Sequence, residues 1–418
     1  MISLGKGMAA LSTAIKKMTP GHPMASYRYS AASSSLSSIP NRSDLTSSPA
    51  CNAQYSLLAR PEPTAVDTRG ATANDADEVD VGKLPNELLA RLLAGIQRRD
   101  PRVILGPGVG RDAAVIDAGG ERLLVAKSDP VTFASDHIGW YAVHINANDV
   151  ACMGARPAWF LATLLLPQGA PEEQAGKVFG QVLEACQGLE VELVGGHTEI
   201  TYGLERPIVV GAMLGEVERE ALVQPSGARE GDAVILSKGI AIEGTAVLAR
   251  EGGERLERLG VPRPVIQRAQ GYIFEPGISV VREALTVCDA VRAGGGSVHA
   301  MHDPTEGGLA TALYELAEAS GLGVAVRERE ITVLPETRAI CAAASLEPLG
   351  LLASGALLIA VAEEDCRTAL SALSEAGIEA RRIGGMVRQE AGVIIEGRAG
   401  TVPVPHFARD EVARFLAG

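Results

Sequence analysis

Four carboxylates and two glycine turns are the residues of this chain with chemistry to offer. Asp149 lies in SDHIGWYAVHINANDVACMGARP, residues 135–157, where Ile138, Tyr141, Ala142, Ile145, Asp149 and Cys152 recur at the spacing of one helical face. Ser135 or Asp136 as a cap, Gly154 just past the end and Pro157 beyond it bound the helix. A carboxylate in the last turns opposes the negative end of the helix dipole, at roughly 0.3–1 kcal/mol, and burial adds desolvation. Asp149 therefore needs a cation: either Arg156, the nearest in sequence, or a bound metal ion.

Asp112 and Asp129 form a second pair. Ala113 to Ile116 and Leu123 to Lys127 flank Asp117-Ala-Gly-Gly-Glu121, the grammar of a hairpin. With the turn near Gly119, Asp112 and Asp129 become neighbours, with Lys127 close by. That is a salt-bridged sheet edge or half of a Mg2+ site, because hard divalent ions take oxygen ligands. Gly106, Gly108 and Gly110 precede it, but β-type residues follow where a dinucleotide fingerprint requires a helix. Gly195-Gly196-His197-Thr198-Glu199 comes after a short strand, where two glycines let a ligand approach closely. His197 is a loop histidine or a ligand, and Glu199 a further oxygen donor. Asp303-Pro304-Thr305-Glu306-Gly307-Gly308 opens another helix, whose first N–H groups suit a phosphate or simply an ordinary capped start. Several oxygen donors beside a glycine-lined anion site are what a Mg2+ nucleotide requires.

Two α+β units must position these residues. Residues 82–222 begin with a short helix from Pro85 to Gln97 and the hairpin. After the Asp149 helix come a strand from Ala158 to Leu166, a helix from Pro171 to Gln187, and strands from Val191 to Val194 and Ile208 to Val217. That order predicts a mixed domain with helices on one face of a largely antiparallel sheet. A turn around Gln224 to Asp232 marks the boundary, and residues 223–400 form an α/β unit. Its strands fall at Val234 to Ser237, Val298 to His302, Val324 to Val326, Leu357 to Val361 and Gly392 to Glu396. Its helices fall at Ile242 to Arg250, Pro264 to Gly271, Ile278 to Ala290 and Ala310 to Ala319, and residues 401–418 carry a terminal helix from Ala408 to Leu416.

Composition bounds the function. A length of 418 residues allows two or three domains, and 4% aromatic content means cores packed from Ala, Val, Leu and Ile. No apolar run reaches the roughly 18 residues of a membrane span; Leu349 to Ala362 is broken by Ser354 and Gly355. A formal charge of −13 without a basic stripe argues against nucleic acid as a partner. Six scattered cysteines with no CxxC pair suit a reducing, cytoplasmic compartment. Residues 1–81 are Ser- and Ala-rich with no acid before Asp44, which reads as a disordered or targeting-like segment. Organellar import and an over-extended start, with Met24 as one candidate for the true one, explain it equally well.

The runs GPGVGRDAAVI, KSDP, DHIGWYAVHINANDVACMGARP, GGHTEI and DPTEGGLA, in this order, resemble the aminoimidazole ribonucleotide (AIR) synthase superfamily from about Gly82 to Val387. That group includes hydrogenase maturation protein HypE, thiamine-monophosphate kinase and selenophosphate synthetase, and the chain looks closest to HypE and its unassigned relatives. The resemblance implies a two-domain AIR synthase-like fold in a homodimer, with the N-terminal sheets pairing into a barrel across the dimer. It implies ATP and Mg2+ as cofactors. Carried over by motif, Asp112, Asp129 and Asp149 would be Mg2+-ATP ligands with His197 and Glu199 lining the same site. Gly108, Gly110, Lys127, Asn148, Gly195 and Gly196 would contact the nucleotide, and Asp303, Thr305, Gly307 and Gly308 would form the facing wall. Asp112, Asp149 and Asp303 would be the catalytic set. The activity implied is phosphorylation of an amide or carboxyl oxygen, on a small molecule or carried by a protein, as in HypE dehydration of a carbamoyl group. A small-molecule kinase and a non-catalytic nucleotide-binding scaffold are the alternatives. Three departures stand out: Arg111 replaces one acid of the usual first pair, Glu306 stands where HypE-like turns often carry Arg, and the sequence ends Arg-Phe-Leu-Ala-Gly where HypE carries a cysteine.

Overall fold

The hairpin read around Gly119 forms, and it forms for the local reason given. Asp117 Oδ1 accepts the Gly119 N–H at 3.0 Å, and Gly119 takes the left-handed φ of +88° that the turn requires. The computed structural model describes Leu84 and residues 86–417, apart from positions 98, 109, 133, 135 and 399. The segment 1–81, with Met24 and Cys51, lies outside the described residues.

The first half contains α1 (Asn86–Leu93), β1 (Val103–Leu105), β2 (Ala114–Ile116), β3 (Arg122–Val131), α2 (Ile138–Cys152), β4 (Arg156–Pro167), α3 (Glu172–Gly188), β5 (Glu192–Thr201) and β6 (Ile208–Glu218). Its sheet runs β1-β2-β3-β6-β4-β5, antiparallel except where β4 meets β5. The second half contains β7 (Ala233–Ser237), α4 (Ile242–Glu251), α5 (Gly253–Arg258), α6 (Arg263–Gln270), α7 (Val281–Ala293), β8 (Val298–His302), α8 (Gly308–Ser320), β9 (Gly323–Arg327), α9 (Pro335–Ala344), β10 (Leu358–Val361), α10 (Cys366–Glu375), β11 (Ala380–Val387), β12 (Val393–Gly397), β13 (Gly400–Pro403) and α11 (Glu411–Leu416). Its sheet runs β13-β12-β9-β11-β7-β10-β8, with β12 and β9 its parallel pair. The fold is thus α+β with a mixed sheet in each half. The wholly buried β7 and β10 pair with each other inside the second sheet.

Several expectations are corrected. The C-terminal stretch 401–418 is more than a helix, because β13 pairs with β12 and extends the second sheet. Gly195 to Glu199 belong to the long strand β5, not a turn. Gly196 is needed there for pairing: a Cβ on it would lie 1.9 Å from the Ala162 carbonyl oxygen of β4. α2 is not one-sided. Its apolar face packs on the sheet, while His144, Asn146 and Asn148 are buried as well. The second half supplies part of that cover, with Trp140 Nε1 donating to the Ile273 carbonyl at 3.3 Å. Its start is not side-chain capped: His137 occupies the cap position with a left-handed φ of 54°, and Asp136 binds Lys177 and Arg250 instead. Ser135 lies outside the described residues. Gly154, at φ +71°, ends the helix as expected.

Candidate functional site

Strand alternation puts Lys127 and Asp129 on one face of β3, and the end of that strand is pinned to α2. Asn146 Oδ1 accepts the Asp129 N–H at 2.8 Å, and Asn146 Nδ2 donates to the Asp129 carbonyl at 3.2 Å. One turn further along α2, Asp149 reaches the same place. Lys127 Nζ lies 3.1 Å from Asp129 Oδ2 and 3.0 Å from Asp149 Oδ2. The cation that answers Asp149 is therefore Lys127, not Arg156, which is exposed and 4.0 Å from Asp289. Arg156 follows the helix in sequence, but β4 carries it to the surface.

The second half closes the site. His302, the last residue of β8, has Nδ1 3.1 Å from Asp112 Oδ1, and Nε2 2.9 Å from Glu315 Oε2 on α8. Asp303 follows it, buried, with Oδ1 3.6 Å from Cys152 Sγ at the end of α2. Asp112, His302 and Asp303 each place a ligand atom within 4.8 Å of the others.

Burial and crowding set the charges. Burial pushes the Asp149 carboxyl up to about 7; Lys127 opposes that shift, while Asp112 and Asp129 add to it. Burial also drives Asp303 well above the carboxylate range, reinforced by Asp149 and Asp112. Burial opposes the Lys127 ammonium, but Asp149 and Asp129 outweigh it and hold its pKa above the usual lysine value. The same holds for the His302 imidazolium, where Asp112 and Glu315 prevail over burial. Among the described residues the site thus holds more acid than Lys127 and His302 neutralise, and the Asp303 Oδ2 atom is buried without a hydrogen-bond partner. Such a donor set suits a divalent cation.

Not every expected residue arrives here. His197 and Glu199 are exposed, 3.4 Å from one another, on β5, which β6 and β4 separate from β3. Asn148 does not face the cleft: its Nδ2 donates to the Ile278 carbonyl at 2.9 Å and its Oδ1 accepts the Val280 N–H at 2.8 Å. It ties α2 to the second half. The glycine turn is also engaged. Gly307 N donates to Asp410 Oδ2 at 2.7 Å, and Gly308 N to the Thr305 carbonyl at 3.0 Å. Gly110 lies against the Glu315 carbonyl of α8, and Arg111 folds over its own loop, donating from Nη1 to the Gly106 carbonyl at 3.0 Å. Sequence reasoning missed His302, Glu315 and Asp410. Of these only His302 carried a signal, as an ionisable residue at a strand end next to Asp303.

A family model described as the AIR synthase related protein, N-terminal domain, matches residues 110–217, and the corresponding C-terminal domain matches residues 229–396. The chain belongs to the AIR synthase related family. Among relatives in this family, a hydrogenase expression/formation protein of Methanocaldococcus jannaschii is 32% identical over 292 residues, 68% of this chain and 82% of the relative. Carbamoyl dehydratase HypE of Cupriavidus necator is 30% identical over 283 residues, 66% of this chain and 76% of the relative. A crystal structure of HypE in complex with ATP aligns with a TM-score of 0.59 at 26% identity, over 77% of this chain and 95% of that one. A thiamine-monophosphate kinase with AMPPCP and TMP shares the fold at a TM-score of 0.58 and 20% identity, over 75% of this chain and 92% of that one.

Proposed function

We propose that this chain is an ATP-dependent enzyme of the HypE type, acting on the oxygen of a carbamoyl or related amide. The observation that carries this reading is the surplus of buried carboxylate around Lys127 at the junction of the two halves, in a chain 30% identical to a carbamoyl dehydratase. Asp112, Asp129 and Asp149 would hold Mg2+, which when bound supplies charge neutralisation for the nucleotide phosphates. Lys127 keeps its proton and presents a fixed positive charge beside them. Asp112, Asp149 and Asp303 are buried at the junction, and a buried charge acts on a developing charge more strongly than one in water. The amide oxygen takes a phosphoryl group and leaves as phosphate, the nitrogen gives up its two protons, and the carbamoyl group becomes a nitrile. A substrate carried by a protein and a free small molecule both satisfy this chemistry.

The proposal includes a homodimer. Val194 and Ile200 on the edge strand β5 and Tyr202 just beyond its end are exposed, and pairing of two such edges would extend the N-terminal sheets into a barrel. In that assembly His197 and Glu199 would meet groups of the second copy.

The test is calorimetric titration with ATP, with and without Mg2+, followed by phosphate release on carbamoyl substrates and mass analysis of the products. Mg2+-dependent binding with ADP, free phosphate and a nitrile is the expected result. A phosphorylated product would overturn dehydration in favour of a kinase, and binding without turnover would make the chain a nucleotide-binding scaffold.

A further inference from the structure

We propose that Glu243, with Ser354 beside it, reads the NH2 end of the substrate and so selects primary amides over carboxylates. This deepens the proposed function and rests on it for the direction in which the amide oxygen points.

Glu243 lies in the first turn of α4, and Ser354 lies shortly before β10. The backbone brings them together, with Glu243 N donating to the Ser354 carbonyl at 3.3 Å. Both are buried. Ser354 stands close enough to ease the charge of the Glu243 carboxyl, yet among the described residues Glu243 Oε2 and Ser354 Oγ have no hydrogen-bond partner. The Tyr141 hydroxyl of α2 is buried in the same condition, and the Glu243 charge opposes its ionisation. Buried acceptors without donors are costly. The cation of the turn before α4 gives no relief: Lys238 is spent on Glu283 Oε1 at 2.6 Å and on the Ser279 and Gly277 carbonyls at 2.7 and 3.1 Å. That turn also holds Lys238 and Ala241 at φ 52° and 62°, left-handed values that strain a residue with a side chain. Strain and orphaned acceptors in one place point to a ligand rather than to stability.

The place adjoins the proposed nucleotide site. Ala353 N donates to the Thr305 carbonyl at 3.2 Å, and Thr305 is two residues past Asp303, so Ser354 backs the glycine turn. Two acceptors that lack donors match a group carrying two N–H donors. A primary amide has one, and its oxygen then points to the turn. A carboxylate has acceptors only and meets Glu243 with like charge.

Acetamide and acetate, nearly equal in shape, are the probes, titrated separately into the full chain without nucleotide or metal and followed by ligand NMR. The wild type should bind acetamide about 10–100-fold more tightly than acetate at pH 8. Burial holds the Glu243 carboxyl up to about 7, with Asp410 of the C-terminal segment adding to the shift, and Tyr141 faces it from α2. Its accepting form therefore grows between pH 6 and pH 8, and acetamide affinity should rise over that range. Glu243→Gln, which removes an unpaired buried charge, should fold and should lose most of both the discrimination and the pH dependence. No acetamide binding in the wild type, equal affinity for the two probes, or unchanged discrimination in Glu243→Gln overturns the proposal. Since nucleotide and metal are absent, those outcomes leave the ATP reading standing. Acetamide discrimination in a chain that does not bind Mg2+-ATP overturns the ATP reading alone.

Discussion

Asp410, from the C-terminal segment, accepts the backbone N–H of Gly307 at 2.7 Å and also caps α11 through the Val412 N–H at 2.7 Å. One carboxylate thus fastens the end of the chain to the glycine turn that would otherwise offer an amide to an anion. Asp410→Ala removes a helix cap and leaves the Gly307 N–H unsatisfied, an expected loss of roughly 2–4 kcal/mol in urea unfolding. Asp410→Asn keeps an acceptor and should lose much less. If the turn binds phosphate by displacing Asp410, the Ala variant will also bind ATP more tightly than the wild type.

Asp149 is predicted to separate stability from activity. Its carboxyl is held up to about 7, chiefly by burial, so Asp149→Asn should leave unfolding in urea unchanged or shift it to higher denaturant at pH 8. The same variant should lose on the order of 10²–10³ in ATP turnover. Full turnover would remove Asp149 from the proposed metal set.

The two neighbouring glycines of β5 give opposite expectations. A methyl on Gly196 meets the Ala162 carbonyl oxygen, whereas one on Gly195 meets nothing within 4 Å among the described residues. Gly196→Ala should break β4–β5 pairing and lower the thermal midpoint, and Gly195→Ala should fold like wild type. Lost nucleotide binding in a well-folded Gly195→Ala would restore a ligand role to this pair.

Glu243 on α4 supplies a pH dependence. Burial raises its carboxyl from 4.5 to about 7, and its Oε2 atom has no hydrogen-bond partner among the described residues. The folded state therefore binds a proton that the unfolded state has released, and stability falls as pH rises from about 4.5 through about 7. The shift corresponds to roughly 3 kcal/mol. Glu243→Gln should cancel much of this loss, so its advantage over wild type in urea unfolding should be large at pH 8 and small at pH 5.

What was legible in the sequence was local. The hairpin declared itself because alternation, Asp117 and Gly119 lie within one short stretch, and the α2 boundaries because Gly154 and Pro157 mark them. The partner of Asp149 was not legible: Arg156 is nearer along the chain, but β3 packing beside α2 delivers Lys127. His302 gains meaning only when its two nitrogens meet Asp112 and Glu315 from opposite halves of the molecule. The burial of both faces of α2 was hidden for the same reason, since periodicity reports one apolar stripe and cannot show that a second body covers the polar one.

That doubly covered helix bears on how the molecule can be taken apart. Asn148 spends both ends of its amide on the backbone at Ile278 and Val280, and Trp140 and Cys152 also reach across. Residues 82–222 made alone would present these side chains to water with their partners gone, and would tend to self-associate. Exchange of halves between relatives should succeed only when α2 travels together with the stretch from Ile273 to Val280. The unit of inheritance is the interface, not either sheet.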